Sequence, residues 1–170
     1  MYLTNSIICA ILIFSKLEEY MQTKEHNSIS IGNSGEYFVA AELERRGYTA
    51  AVPMSNTKDF DILAINRTTY KQIAIQVKTT QYKHKKWMLN KKCENLFAPH
   101  IKYVLVALNE LSEPEYHIVP SEYLAKTICK SHKEWLATPG IKGRPHNDNP
   151  TRFFKDENDE FLNRWDLLET

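Results

Sequence analysis

Apolar and polar residues alternate over Ile73 to Lys78, "IAIQVK". A period of two predicts a β-strand with one buried face, here Ile73, Ile75 and Val77. Gln76 and Lys78 share the other face, which is either solvated or the floor of a site. Upstream, residues 33–46, "NSGEYFVAAELERR", read as a helix. Asn33 or Ser34 caps it, its Ala, Glu, Leu and Arg residues favour it, and Gly47 ends it. Residues 48–53 and 60–66 read as strands, and residues 67–70 as the turn of a hairpin into the alternating strand. The near-continuous apolar run at 101–108, "IKYVLVAL", predicts a strand buried on both faces. A shorter strand follows at 115–120. Ser121 caps a helix to about residue 130, and "HKEWLATPG" forms a further short helix ended by Pro139 and Gly140. Residues 141–155 are polar and irregular, and the tail "EFLNRWDLLE" is a helical turn that buries Phe161, Trp165 and Leu168. The order α-β-β-β-insert-β-β-α describes an α/β domain: a mixed sheet flanked by helices.

The 170 residues suffice for one domain with a hydrophobic core, and residues 30–170 are read as that single domain. The apolar stretch at 7–14, "IICAILIF", is too short to span a bilayer, which takes about 20 residues. No basic region precedes it and no clear cleavage site follows, so it does not read as a secretory signal. Residues 1–20 are either an over-extended start ahead of Met21 or a short helix packed on the domain or on a partner. Cys9, Cys93 and Cys129 are odd in number and far apart, without zinc-ligand spacing, which argues against a disulfide framework or structural zinc and fits the cytoplasm. Net charge is only +1, yet residues 71–102 carry eight lysines against one acid, Glu94. That run is either a solvated loop or a phosphate-facing patch.

Three features bear on chemistry. Asp61 stands at the start of a strand in "KDFDILAI", although aspartate disfavours strands. It is either a turn cap or a functional carboxylate, and Asp59 could exchange roles with it. Gln76 and Lys78 lie on one strand face; an amide oxygen and a carboxylate are hard ligands of the Mg2+ type, and a lysine can stabilise charge on a phosphate. Glu36 lies near the helix start, either as an exposed acid favouring the helix dipole or as a carboxylate on a packing face that needs a partner. Of the histidines, His84 lies in the basic run, His117 reads as structural, and His132 and His146 have no assignable partners.

Taken together, "GNSGEYFVAAELERRGY", "KDFDILAI" and "IAIQVKTT" closely resemble the PD-(D/E)xK nuclease superfamily. The nearest branch is that of small Holliday-junction resolvases and bacterial PD-(D/E)xK endonucleases. The resemblance implies a restriction-endonuclease-like fold with an αβββαβ-type core. It also implies a metal site of Glu36, Asp61 and Gln76, holding Mg2+ or Mn2+, with Lys78 as the catalytic lysine. Ser34-Gly35-Glu36 and Arg46-Gly47-Tyr48 fit the family's first helix. The match spans roughly residues 32–108, under half of the chain. The implied activity is hydrolysis of DNA phosphodiester bonds in repair, recombination or phage defence. The alternative is a weak or inactive nuclease-fold module that binds nucleic acid or assembles into a complex. The implied partner is DNA, with RNA left open, no membrane, and a homodimer as in resolvases. Gln76 departs from the commoner acid at its position and leaves two negative ligands, which favours a single metal over two. Beside this motif the lysine run reads as a nucleic-acid surface. Lys83, Lys85, Lys86, Lys91 and Lys92 meet phosphates, Tyr82 or Trp87 stacks on a base, and Thr79 and Thr80 add hydroxyl contacts.

Overall fold

The computed structural model describes residues 28–53 and 60–169. The apolar stretch at 7–14 and Asp59 lie outside the described residues. Residues 31–170 form one compact unit, to which the following description applies.

Helix α1 (Ser28–Arg45) starts earlier than its capping signals suggest. Asn33 and Ser34 lie inside it and do not cap it. The reason is tertiary: Ile31 packs on the core in register with buried Gly35, Val39 and Leu43, so the apolar stripe recurs every four residues upstream of Asn33. Burial along that stripe overrides the weak propensity of the Ser-Ile-Ser-Ile-Gly run. Gly47, with φ of 85°, ends the helix as expected.

Five strands follow in one mixed sheet, in the order β1-β2-β3-β5-β6: β1 (Tyr48–Ala51), β2 (Ile62–Asn66), β3 (Gln72–Thr80), β5 (Ile101–Ala107) and β6 (Glu115–Pro120). All neighbours are antiparallel except β3 and β5, which run parallel. The β2–β3 hairpin matches its sequence signal. Strand β5, between β3 and β6, is buried on both faces, as its apolar run requires. Val104 and Val106 enter a core shared with α1, Ile62, Ile73, Ile75 and Val77. Tyr103, Leu105 and Ala107 enter a second core on the opposite face.

The segment between β3 and β5 departs from expectation. It is no irregular insert: it holds β4 (Lys86–Asn90) and a 3-10 turn at Lys91–Glu94. β4 pairs antiparallel with β7 (Thr151–Lys155), a strand from the region read as irregular, in a separate two-stranded ribbon. Both strands alternate inward and outward side chains, but over five residues each. In β4 three of those residues are Lys86, Met88 and Asn90, so composition masked the period. The second core is covered by this ribbon and by α2 (Ser121–Ala137), which contributes Leu124 and Ile128. α2 is one continuous helix where two short ones were expected. Ser121 does not cap it: its hydroxyl donates to Ala98 O at 2.9 Å and accepts from Ala98 N at 3.1 Å, tying the helix start to the loop before β5. Among the described residues no helix is long and apolar enough to cross a membrane.

Candidate active site

The hairpin register sets the site. Ile62 pairs with Ile75, and the preceding Asp61 N–H donates to Ile75 O at 2.8 Å. There β2 peels away from β3, and the Asp61 carboxylate takes over the ladder: its Oδ2 accepts the Val77 N–H at 2.7 Å. An aspartate at the strand end is therefore explained locally. It satisfies a main-chain donor that the departing strand leaves bare.

The same oxygen faces Lys78. The Lys78 ammonium donates to Val77 O at 2.8 Å and lies 3.4 Å from both Asp61 Oδ2 and Gln76 Oε1. Three oxygens of three chemical kinds thus converge on one cation: a carboxylate, an amide and a main-chain carbonyl. This is the hard-oxygen set that Mg2+ or Mn2+ takes, so the residues present fit such an ion. Gln76 is 7% exposed and paired in register with Tyr103, which is fully buried below it. Burial first, then Cys93 and the Asp61 charge, push the Tyr103 phenol well above its ordinary value. A neutral amide suits position 76, since an additional charge there would lie against this low-dielectric floor.

Glu36 joins from α1. Its carboxyl is held above the usual 4.5, first by burial and next by the Asp61 charge, with Lys78 opposing. A carboxyl whose charge is disfavoured by a neighbouring carboxylate belongs to an acidic cluster that a divalent cation would relieve. Glu36 sits two turns into α1 and not in the first turn, so it owes nothing to the helix dipole. Its placement depends on Gly35, where a Cβ would lie 1.9 Å from Thr79 Oγ1.

The four motif residues Glu36, Asp61, Gln76 and Lys78 are thus gathered at one end of the sheet. The Val77 carbonyl belongs with them and carried no sequence signal, since any residue supplies one. Tyr103 was likewise hidden in an apolar run.

The basic segment divides. Trp87 is 1% exposed and its Nε1 donates to Val106 O at 2.9 Å, so it is a core residue and cannot stack on a base. The Thr79 hydroxyl is buried against Gly35 with no hydrogen-bond partner among the described residues, which removes it from phosphate contact. Thr80 Oγ1 accepts from Tyr82 N at 3.4 Å. Lys85 pairs with Asp159 at 2.5 Å and Glu115 at 3.8 Å, and Lys91 with Asp148 at 2.9 Å, so C-terminal acids neutralise both. Lys86 lies 4.0 Å above the Phe153 ring. Lys83 and Lys92 are exposed and form no ion pair among the described residues. Tyr82 is 61% exposed.

A second cluster, His117, Asp156 and Asp159, brings ligand atoms within 4.8 Å of one another. His117 Nδ1, Asp156 and Asp159 already have partners, whereas His117 Nε2 is buried without one among the described residues. Asp156 accepts His117 Nδ1 at 2.6 Å and the main-chain N–H groups of Glu160 and Phe161, while Asp159 holds Lys85. The Asp156 bonds clamp the 156–161 turn, with the buried histidine as its anchor.

No family model and no curated protein matches the chain. Among solved structures, the bacterial homing endonuclease I-Ssp6803I superposes with a TM-score of 0.50 at 11% identity, over 84% of this chain and 92% of that one. Hjc, a Holliday junction resolvase from Archaeoglobus fulgidus, matches with a TM-score of 0.43 at 14% identity, over 74% of this chain and 84% of that one.

Proposed function

From a restriction-endonuclease-like fold, we propose that this protein is a metal-dependent endonuclease hydrolysing DNA phosphodiester bonds. The observation that carries the reading is the convergence of Asp61 Oδ2, Gln76 Oε1 and Val77 O on the Lys78 ammonium, with Glu36 beside it. Glu36, Asp61, Gln76 and the Val77 carbonyl would hold Mg2+ or Mn2+. When bound, that cation lowers the pKa of a water and offsets charge on the phosphate. Lys78 orients the attacking water and stabilises the charge that builds as it displaces the 3′ oxygen in line. Asp61, fixed by the Val77 N–H, keeps strand β3 and the ammonium in register. Gln76 supplies an oxygen without a third negative charge, which suits one metal better than two. Residues 30–170 act as a single cytoplasmic domain, with DNA as partner and a homodimer as working unit.

A second reading has its own observation. The Lys78 ammonium already sits among the three oxygens, and only two acids are available to draw in a divalent ion. That suits a nuclease-fold module that binds nucleic acid without cutting it.

Plasmid incubated with the protein and Mg2+ or Mn2+ separates the two. Cleavage that disappears in Asp61→Ala and Lys78→Ala is the expected result. Retarded DNA without cleavage at any metal concentration sinks the enzyme and leaves the binder.

A further inference from the structure

We propose that the outward face of the β4–β7 ribbon is the surface that seats in the major groove of duplex DNA; this rests on DNA being the substrate. The ribbon's alternation divides it cleanly. Inward, Trp87 and Phe154 are 1% exposed, and Arg152, 2% exposed, holds Glu94 at 2.5 Å, so the ribbon is anchored rigidly to the second core. Outward stand Lys86, Met88 and Asn90 on one strand and Thr151, Phe153 and Lys155 on the other. Met88 and Phe153 face each other in register and are 69% and 45% exposed. Large apolar side chains paired on a solvent face add nothing to the fold's core, and such a patch marks an interaction surface.

The charge on that face selects the partner. Lys86 and Lys155 are opposite each other, and no acid occupies any of the six outward positions. Lys155 reaches Glu157 at 3.0 Å, an exposed pair that a phosphate readily replaces. A two-stranded ribbon has the width to enter the major groove. Its side chains there supply what base edges call for: the Thr151 hydroxyl and the Asn90 Nδ2 to hydrogen-bond (Asn90 Oδ1 is taken up accepting from Lys92 N at 3.0 Å), Met88 and Phe153 to meet thymine methyls, and lysines at the end to grip phosphates. The Lys86 ammonium covers the Phe153 ring at 4.0 Å, so the ring is not an open platform for a single-stranded base. The surface is also continuous with the site. β4 begins after the five residues that follow β3, and it lies against β3 while β7 lies against α2. Exposed Tyr82 and Lys83 fill that turn.

Fluorescence anisotropy on a mixed-sequence duplex and its single strand, without divalent cation and across salt concentrations, tests this. Wild type is expected to prefer the duplex. Lys86→Ala/Lys155→Ala should weaken duplex binding about tenfold and lower the salt slope by about two. Met88→Ser/Phe153→Ser should keep the slope but flatten the base preference recovered from a randomised duplex pool. Lys130→Ala/Lys133→Ala on α2 removes as much charge elsewhere and should bind within about twofold of wild type. Circular dichroism checks that each variant is folded, and Lys86→Gln alone replaces a double variant that is not. Ribbon variants that bind like wild type overturn the proposal, as does a wild type that prefers the single strand or binds neither. Ribbon-dependent duplex binding without cleavage in Mg2+ overturns the nuclease reading and leaves the ribbon standing. Cleavage unaffected by the ribbon variants does the reverse.

Discussion

A methyl group at position 35 would lie 1.9 Å from Thr79 Oγ1 and 3.0 Å from Thr79 Cβ, so α1 and β3 meet this closely because residue 35 is glycine. The contact links the residue before Glu36 to the residue after Lys78, and so brings the helical carboxylate within electrostatic reach of the strand's lysine. Gly35→Ala gains about 1 kcal/mol of helix propensity but forces an overpacked contact costing about 1–3 kcal/mol. The net is an expected stability loss of about 0–2 kcal/mol, with a large loss of cleavage because Glu36 moves. Thr79→Ala in the same chain should restore part of that activity, and a double-mutant cycle on urea melts and cleavage rates measures the coupling. Glu36 itself gives a pH signature. Its folded pKa is raised above 4.5, so in metal-free protein its contribution to stability is full below that value and declines as pH rises through the folded pKa. A bound divalent cation favours the carboxylate and opposes this. The thermal shift caused by Mg2+ should therefore grow between acidic and neutral buffer and lose that growth in Glu36→Gln. An equal shift at both ends would remove Glu36 from the cation's neighbours.

The elements show why a run of lysines is ambiguous. Within residues 82–92 the chain makes a turn, a strand and the start of a 3-10 helix, and each lysine's fate follows from its place in them. Lys85 and Lys91 are tied to acids more than fifty residues away, whereas Lys86 points outward from a strand whose next residue, Trp87, is a core anchor. Trp87→Ala should cost about 3–5 kcal/mol, read as a shift in the urea midpoint. A base-stacking tryptophan would instead leave stability unchanged and weaken DNA binding alone. Helix α1 was legible from its Ala, Glu, Leu and Arg residues and from Gly47, but its buried stripe of Gly35, Val39 and Leu43 emerged only from the packing. The β4 strand was not legible, since its partner is supplied some sixty residues later.

At the scale of the molecule, the C-terminal segment closes the fold. Asn163 N–H donates to Tyr116 O at 2.7 Å and Ile118 N–H to Phe161 O at 3.0 Å, so the tail lines the free edge of β6. Leu168 is 1% exposed in the first core, and Glu169 accepts from the Tyr48 hydroxyl and from Asn66 Nδ2 at 2.9 Å, while its carbonyl takes Lys71 Nζ at 2.7 Å. Leu168→Ala should cost about 2–5 kcal/mol in a thermal or urea melt although it lies at the far end of the chain from α1. The tail reads in sequence as a helical turn burying Phe161, Trp165 and Leu168. The turn covers only Trp165–Leu168, Phe161 is buried ahead of it and Trp165 is half-buried. That the tail latches the β1–β2–β3 strands was not visible. By itself the sequence determined what depends on near neighbours: the period-two strand with Gln76 and Lys78 on one face, the β2–β3 hairpin, the doubly buried β5 and the glycine that ends α1. Only the tertiary structure decided which polar residues share a point in space. It brought the Val77 carbonyl to the cluster, set Glu36 beside Asp61 through Gly35, paired β4 with β7 and withdrew Trp87 into the core. Alternation is written in adjacent residues, whereas these contacts join segments whose separation along the chain carries no period to read.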